Sequence, residues 1–366
     1  MKIALVHDYL TQRGGAERVF ELLCKHFPDA DLYTSIYDRQ NTIDLGDRPV
    51  HTTFLQNIPI NRKYFRLFAP FYYSAFKSLD LQQYDLILSS SASFAKGIQK
   101  RSDAVHICFC HNITRFLWDT NTYLREYGAY RFLKPLIEVV FQRMRQQDIF
   151  YAQSPDYYIA NSTTVAKRIR ETYNKDAVVI NYPIDDCRFT FSDQKDDYCL
   201  VSSRHLSYKR LDIIVEAFNS LDLPLIITGE GPETKQLQTR ARPNIQFLGH
   251  VSDRDRCNLM SKAKFVIVAA LEDYGLVPIE ANASGTPVIA YGAGGVMDTQ
   301  ISELTGILFE QQTADSLKDA IIKAQKVDWD YAKIREHAIS NFSQLVFFKK
   351  VDQILEEICI SRGIKK

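Results

Sequence analysis

The sequence has almost no excess of charge of either sign. Its 366 residues carry 45 lysines and arginines against 44 aspartates and glutamates, which leaves a formal net charge of +1. Proteins that bind nucleic acid concentrate basic residues to meet the phosphates, so this composition predicts no nucleic-acid partner. Hydrophobic residues make up 46% of the chain and charged residues 24%, a balance typical of folded globular proteins and not of disordered ones.

Cysteines and long hydrophobic runs are also scarce. The seven cysteines lack the paired CxxC spacing and the histidine clusters of zinc sites, so we expect reduced thiols in a cytoplasmic protein. The most apolar run, residues 265–271, is far shorter than the ~20 residues that span a bilayer. The N-terminal apolar segment is also too short for a signal peptide. We therefore expect neither a transmembrane helix nor a secretion signal.

Short runs of β-branched and apolar residues alternate along the chain with helical patterns. A first series lies at residues 3–6, 86–88, 105–109, 158–160 and 178–180, and a second at residues 198–202, 225–228, 245–248, 265–270, 288–291 and 306–309. Such runs are typical of parallel strands buried on both faces. Pro183 interrupts the rhythm near Ile184. The pattern thus predicts an α/β fold of two doubly wound domains, residues 1–184 and residues 185–342.

Three loops that follow predicted strands carry residues suited to binding an anion. Gly14 and Gly15 precede the first helix, and Arg204 and Lys209 follow the strand at 198–202. After the strand at 265–270, Gly275 opens a helix whose first backbone N–H groups, at Gly275, Leu276 and Val277, are suited to a phosphate. Each loop also has a simpler interpretation, because glycines make tight turns and most arginines and lysines are solvated surface cations.

The spacing of Glu272 and Glu280, with seven residues between them, resembles the E-x7-E motif of glycosyltransferase family 4. Other motifs of that family follow in its order: Gly14-Gly15, Arg204 with Lys209, Gly229-Glu230-Gly231, Phe247-Leu248-Gly249, Gly285-Thr286-Pro287 and Gly294-Gly295. The resemblance covers nearly the whole chain. It implies the GT-B fold, in which two Rossmann-like domains face across a cleft and a C-terminal helix, residues 343–366, packs back on the first domain.

The resemblance also implies roles for individual residues. Arg204 and Lys209 would hold the donor diphosphate, and Glu280 would hold the ribose hydroxyls. Glu272 would contact the donor sugar, against which His111 would lie from the first domain. The implied catalytic residues are therefore Glu272, Arg204, Lys209 and His111, and the other donor-binding positions are Gly15, Gly229, His250, Val251, Gly275, Leu276, Val277 and Glu280.

The segments 4–10 and 110–119 look like those of bacterial O-antigen and capsule mannosyltransferases. This likeness implies a retaining enzyme that transfers a hexose, mannose from GDP-mannose, to a lipid-linked or growing glycan acceptor in surface polysaccharide synthesis. Three alternatives stay open: a UDP-sugar transferase of the same family, a GT-B sugar-nucleotide epimerase, and an inert scaffold in a glycan-assembly complex.

We expect neither a metal nor a cofactor beyond the nucleotide sugar, which is a substrate. Asp253-Arg254-Asp255 and Asp328-Trp329-Asp330 match the metal-binding Asp-x-Asp pattern by letter. Both stand where an amphipathic helix is predicted to begin, and aspartate at that position caps free N–H groups.

Two segments of the first domain are both basic and aromatic, residues 59–77 and residues 125–145. Arg62, Lys63 and Arg66 lie in the first of them. Such segments suit the anionic surface of a membrane, so we expect peripheral attachment to the cytoplasmic face of the inner membrane, close to a polyprenyl-diphosphate-linked acceptor. In the alternative interpretation the aromatic rings pack in the core and the cations form a solvated rim.

Overall fold

The computed structural model describes residues 1–58, 62–120, 134–185 and 188–363, without the side chains at 62–64, 66–67 and 134–136. The chain divides into two compact units, Met1–Ile180 with Phe348–Lys366, and Asn181–Phe347. The predicted boundary at Ile184 lies in the extended segment just after Ile180.

The first unit is built on a parallel sheet of seven described strands. Their order is β3-β2-β1-β4-β5-β6-β7, so the order reverses between β1 and β4. The strands are β1 (Ile3–His7), β2 (Asp31–Thr34), β3 (Val50–Thr52), β4 (Leu86–Ser91), β5 (Val105–Cys110), β6 (Tyr157–Ala160) and β7 (Ala177–Val179). Ligands of such sheets bind at the carboxyl ends of the strands at the point of reversal, which here lies above β1 and β4.

The second unit has a parallel sheet of six described strands in the order β10-β9-β8-β11-β12-β13. The order reverses between β8 and β11. The strands are β8 (Cys199–Ser202), β9 (Leu225–Thr228), β10 (Ile245–Gly249), β11 (Phe265–Val268), β12 (Val288–Tyr291) and β13 (Gly306–Phe309). The loops after β8 and β11 are the two that carry the predicted diphosphate and sugar contacts.

Helices cover the faces of both sheets. In the first unit the described helices before the last one are Gly15–His26, Tyr72–Lys77, Arg115–Trp118, Lys134–Tyr151 and Thr163–Tyr173, with 3-10 turns at Phe54–Asn57, Arg62–Phe71 and Ala95–Gly97. In the second unit they are Leu211–Asn219, Thr234–Arg240, Asp253–Lys262, Leu276–Ala283, Ala314–Ala324 and Tyr331–Phe342, with 3-10 turns at Ser207–Lys209 and Gly295–Asp298.

The last helix, Gln344–Arg362, carries the chain from the second unit back to the first. The ring of Phe348 stacks on His26 with the centroids 4.1 Å apart, and Asp352 accepts a hydrogen bond of 2.7 Å from His26. Further along, Arg362 lies over the ring of Tyr157. Beyond Phe347, the helix therefore packs on the first unit both near its start, at Phe348 and Asp352, and near its end, at Arg362.

The predicted fold class is confirmed, and every predicted strand coincides with an observed one. All six residues of β4 and all six of β5 are buried, as expected for parallel strands covered on both faces. The sequence did not predict β2 and β3, because these strands are short and interleaved with polar residues. None of the described helices is both long and apolar enough to cross a membrane.

Candidate active site

The loop after β8 presents two cations. Ser207–Lys209 forms a single 3-10 turn, and Arg210, with a positive φ of 54°, turns the chain into the helix Leu211–Asn219. Arg204 is exposed and its guanidinium reaches the hydroxyl of Tyr208 at 3.5 Å. Lys209 points inward instead, with its side chain 18% exposed. The loop thus holds one exposed cation and one largely buried cation at the carboxyl edge of the sheet.

Lys209 and Glu272 meet at the point where the strand order reverses. Lys209 Nζ donates to Glu272 Oε1 at 2.6 Å, although the two residues are 63 positions apart in the sequence. They line one pocket together with Ser202, Ser203 and Val277. Burial lowers the pKa of the Lys209 ammonium, but the Glu272 carboxylate raises it more, so this pKa lies above its usual value. Lys209 is therefore charged at neutral pH.

Glycines allow the two loops to pack tightly. A Cβ on Gly229 would lie 2.0 Å from the carbonyl oxygen of Ser203, and one on Gly294 would lie 2.3 Å from that of Glu272. Gly295 N donates to the same Glu272 oxygen at 2.8 Å. The glycine motifs after β9 and β12 therefore support the loops that carry Arg204 and Glu272. Gly229 therefore packs against the backbone of the loop that carries Arg204, and a side chain at this position would displace Ser203.

The helix Leu276–Ala283 begins as the sequence predicts. Gly275, with a φ of 91°, precedes its first turn, where Leu276 and Val277 have backbone N–H groups and Pro278 has none. Glu280 follows one turn later and is 6% exposed. Its carboxylate accepts a hydrogen bond of 2.6 Å from Arg256, a residue that sequence reasoning did not single out.

The remaining predicted donor contacts lie after β10. Gly249 takes a positive φ of 65° and its carbonyl accepts from Gly229 N at 2.8 Å. His250 is exposed and Val251 is half-buried, immediately before Ser252 caps the helix Asp253–Lys262. This loop therefore ends at the same edge of the sheet as the loops after β8 and β11.

In the first unit, His111 lies at the end of β5 within a buried polar chain. Ser90 Oγ is 2.7 Å from His111 Nε2 and 2.9 Å from His7 Nδ1, and His7 Nε2 is 4.0 Å from Glu17 Oε1. Burial lowers the pKa of His111 to about 3, and the neighbouring His7 contributes to that lowering. His111 is therefore a neutral imidazole at neutral pH.

Glu17 explains the position of Gly14. Glu17 Oε2 accepts from Gly14 N at 2.9 Å, and a Cβ on Gly14 would lie 2.7 Å from that oxygen. Burial raises the pKa of Glu17, but the neighbouring His7 and the hydrogen bonds from the backbone and from Gln12 together lower it more, so the carboxylate stays ionised at neutral pH. Gly15 is the first residue of the helix Gly15–His26. The Gly-Gly pair thus starts a helix. The polar chain that contains the predicted His111 also includes Ser90, His7 and Glu17.

A second buried network holds the loop that follows His111. Lys96 and Asp148, whose side chains are 1% and 0% exposed, form an ion pair of 2.8 Å. Asp148 also accepts from Thr114 Oγ1 and from Trp118 Nε1, both at 2.7 Å. Because Thr114 and Trp118 lie directly after the β5 loop, the Asp148 carboxylate fixes the segment that begins at His111.

The two Asp-x-Asp motifs occur at helix starts, as interpreted from the sequence. Asp253 and Asp255 lie in the first turn of their helix, where Ser252 Oγ accepts from Asp255 N at 3.1 Å. Asp330 accepts from Lys333 N at 3.0 Å and caps the helix Tyr331–Phe342. Within the described ranges, histidines, cysteines and carboxylates form no group of three suited to a metal ion.

In the segment 59–77 most of the described aromatic rings pack in the core, as the alternative interpretation of this segment expects. Phe65, Tyr72, Tyr73 and Phe76 are buried in the core, because they pack beneath β1 and β4, whereas Phe71 is 55% exposed. The side chains of Arg62, Lys63 and Arg66 lie outside the described part of the structure. Of the segment 125–145, residues 125–133 also lie outside it. Among its described side chains, the helix Lys134–Tyr151 leaves four large apolar ones exposed: Val139, Val140, Ile149 and Phe150.

Two family models match the chain. The Glycosyltransferase Family 4 model matches residues 13–188, and the model of Glycosyl transferases group 1 matches residues 186–341. The two matches meet at residues 186–188, a few residues after the division between the compact units at Ile180 and Asn181.

Individual proteins resemble the chain at low identity. An uncharacterized glycosyltransferase of Methanocaldococcus jannaschii is 21% identical over an alignment of 337 residues, which covers 88% of this chain and 88% of that protein. The O-antigen chain mannosyltransferase C of Escherichia coli is 24% identical over 191 residues, 48% of this chain and 50% of that protein. The structure of Anabaena HepE in complex with UDP superposes with a TM-score of 0.71 and 18% identity, covering 98% of this chain and 100% of the other. This likeness shows the GT-B fold.

Proposed function

We propose that this chain, a glycosyltransferase of the GT-B type, transfers mannose from GDP-mannose, with retention of configuration, to a lipid-linked or growing glycan acceptor. The observation that carries this proposal is the pairing of Lys209 with Glu272 at the carboxyl edge of β8 and β11. A cation and a carboxylate side by side suit a ligand that is anionic at one end and rich in hydroxyls at the other.

The charges indicate how the site would act. We infer that Lys209 and Arg204 bind the diphosphate and stabilise its charge as it departs, together with the N–H groups of Leu276 and Val277. The bond from the sugar C1 to the diphosphate oxygen breaks, and a bond from C1 to the acceptor oxygen forms on the same face. The departing phosphate oxygen takes the proton of the acceptor hydroxyl, so no protein nucleophile is needed.

The other predicted residues would orient the donor. Glu272 accepts hydrogen bonds from sugar hydroxyls, and Glu280 accepts them from the ribose. His111, held neutral by burial, offers the sugar an uncharged hydrogen-bonding group from the first unit. His250 and Val251 border the nucleobase. None of these steps requires a metal, because Lys209, Arg204 and the helix N-terminus supply the positive charge.

Mannose is favoured by the likeness of this chain to the O-antigen chain mannosyltransferase C. The corresponding place of action is the synthesis of a bacterial surface polysaccharide such as O-antigen or capsule. The HepE structure is a complex with UDP, which favours the second candidate, a UDP-sugar transferase with the same site.

A thermal-shift series with GDP, UDP, ADP and dTDP and their common sugar conjugates tests the donor. A ligand at 100 times its Kd stabilises the folded state by about 2.7 kcal/mol, so we expect GDP and GDP-mannose to raise Tm by several degrees, equally with and without EDTA. Transfer is then measured with GDP-mannose and a polyprenyl-diphosphate-linked oligosaccharide, and NMR of the product anomer reports retention.

Other outcomes would contradict parts of the proposal. A shift with UDP alone would replace mannose transfer by UDP-sugar transfer. Conversion of a UDP-sugar without any acceptor would indicate an epimerase, and a chain that binds no nucleotide would be a scaffold. Loss of the shift on adding EDTA would contradict the metal-free mechanism.

We also propose that the first unit attaches peripherally to anionic membrane. The exposed apolar side chains of the helix Lys134–Tyr151 support it, with Phe150 72% exposed. We expect the triple variant Arg62→Glu, Lys63→Glu and Arg66→Glu to bind anionic liposomes at least about tenfold more weakly, since each basic residue near such a surface contributes about 1 kcal/mol. Sedimentation with vesicles that contain phosphatidylglycerol measures this.

The matched control reverses three lysines of the second unit, Lys323→Glu, Lys326→Glu and Lys333→Glu, which are exposed. This control changes the net charge by the same amount. If both triple variants lose the same vesicle binding, the effect comes from net charge. If the first variant sediments with vesicles as the wild type does, Arg62, Lys63 and Arg66 do not bind the membrane and are solvated surface cations.

A further inference from the structure

Arg256 forms an ion pair with Glu280 that the steps above do not use. Its Nη1 donates to Glu280 Oε2 at 2.6 Å, and the two side chains are 14% and 7% exposed. A buried pair of this kind costs desolvation and is weak support for stability by itself. Because stability does not account for this ion pair, and because Glu280 is the proposed ribose contact, a role of the pair in binding the ligand is the better explanation.

One donor nitrogen of the Arg256 guanidinium, Nη2, is not engaged by the pair with Glu280. The guanidinium Cζ of Arg256 lies over the ring of Phe189, 5.8 Å from the ring centroid. Arg256 Nη2 is buried and has no hydrogen-bond partner among the described residues. A buried donor without an acceptor is costly, so an acceptor atom of a bound ligand would stabilise this arrangement.

Both residues lie at the edge of the sheet where the donor is proposed to bind. Arg256 is in the first turns of the helix Asp253–Lys262, which starts just after Val251. Glu280 lies three residues after Val277, which lines the pocket with Lys209 and Glu272. Residues three apart share one face of a helix. The pair therefore links the helix that contributes Val277 to the pocket with the helix that follows the loop proposed to border the base.

We propose that Arg256 belongs to the nucleoside half of the donor site: Nη1 orients the Glu280 carboxylate toward the ribose hydroxyls, and Nη2 donates to an acceptor atom of the nucleoside. The inference rests on the proposed ribose role of Glu280. A carboxylate has about four acceptor positions, so a hydrogen bond from Arg256 still leaves acceptor capacity for ribose hydroxyls. Arginine suits this task because its planar fork can donate hydrogen bonds in two directions from one position.

The test compares a ribonucleotide with its 2′-deoxy form by calorimetry, using GDP and 2′-deoxy-GDP. We expect the wild type to bind GDP about tenfold more tightly, as one hydrogen bond to a charged group predicts. In Arg256→Leu this preference should fall to about threefold or less, and in Glu280→Gln it should fall similarly. Arg256→Lys should retain part of it, because the ammonium still pairs with the carboxylate.

The ratio is insensitive to folding, because both ligands are measured on the same preparation. Arg254→Leu is the matched control: Arg254 is on the same helix and is exposed, so its variant should keep the wild-type ratio. If Arg256→Leu keeps the wild-type ratio of the two affinities, Nη1 does not orient Glu280 toward the ribose and that role is overturned. If it also leaves both affinities unchanged, Nη2 makes no contact with the nucleoside and the pair is structural.

The base and the ribose are tested separately. If UDP binds and GDP does not, the proposed GDP-mannose donor is wrong, and UDP with 2′-deoxy-UDP replaces the GDP pair in the same comparison. If no nucleoside diphosphate binds the wild type, the proposed function and the role of Arg256 are both overturned.

Discussion

Replacing Glu272 by glutamine is expected to reduce sugar transfer by about 100-fold or more while it strengthens the binding of the free nucleoside diphosphate. Transfer falls because a preorganised charged contact to the reacting sugar is lost. Product binding strengthens because Lys209, now paired with Glu272 at 2.6 Å, is released to the diphosphate. The pair is partly solvated, with side chains 18% and 19% exposed, so we expect a gain of about threefold to fivefold in affinity.

Steady-state transfer and calorimetry with GDP measure the two effects on the same protein. Lys209→Met removes the cation of the same pair, so it should have the opposite effect and weaken GDP binding by about tenfold or more. Glu310→Gln makes the same chemical change at an exposed position of the second unit and should alter neither quantity. Weaker GDP binding in Glu272→Gln would show that Glu272 positions the loop and does not compete for Lys209.

The pH dependence provides an independent check. Burial lowers the pKa of Lys209 and Glu272 raises it, so removing the carboxylate leaves the effect of burial. The pKa of Lys209 should then be lower in Glu272→Gln than in the wild type. The affinity for GDP should consequently decline at a lower alkaline pH in the variant, since only the protonated ammonium binds the diphosphate.

The second large effect is expected at Asp148. Asp148→Ala should lower the free energy of unfolding of the first unit by about 3–5 kcal/mol, because it leaves the Lys96 ammonium buried without its counter-ion. It also removes the acceptor of Thr114 and Trp118, so the segment after His111 loses its anchor. Urea unfolding followed by the fluorescence of Trp118, in a background with Trp329→Phe, measures the first unit selectively.

Two comparisons separate the buried charge from general damage. Glu138→Ala removes an ion pair with Arg145 on the same helix, where Glu138 is 48% exposed, and should cost less than about 1 kcal/mol. The double variant Lys96→Met with Asp148→Leu should recover at least half of the loss, because it leaves no unpaired charge. A double variant as unstable as Asp148→Ala would mean that the hydrogen bonds, and not the charge, account for the loss.

Lowering the pH should reduce the difference in the free energy of unfolding between the wild type and Asp148→Ala. Burial raises the pKa of Asp148, but Lys96 and the hydrogen bonds lower it more, so it lies below the usual carboxyl value of 3.8. The stabilisation is therefore fully present above that pH and is lost as the pH falls through the folded-state pKa. Unfolding curves at pH 7 and below pH 4 check the sign.

Much of the loop structure around the proposed site was predictable because loops suited to an anion have local signals. Gly275 before a helix, Lys209 after a strand and Glu272 after the most apolar strand can each be identified from neighbouring residues. The packing of Gly294 on the Glu272 carbonyl explains why the Gly-Gly motif stands where it does. Arg256 gave no such signal, because an arginine in a helix is usually solvated and only its burial beside Glu280 distinguishes it.

The sequence by itself determined the two doubly wound sheets and the loops at which a donor would bind. Parallel strands buried on both faces require continuous apolar runs, and such runs can be identified without knowing what covers them. Only the tertiary structure decided which polar side chains meet: Lys209 with Glu272, Ser90 between His7 and His111, and Lys96 with Asp148. These contacts join residues that are distant in the sequence, and they depend on strand order and helix packing, which no local pattern records.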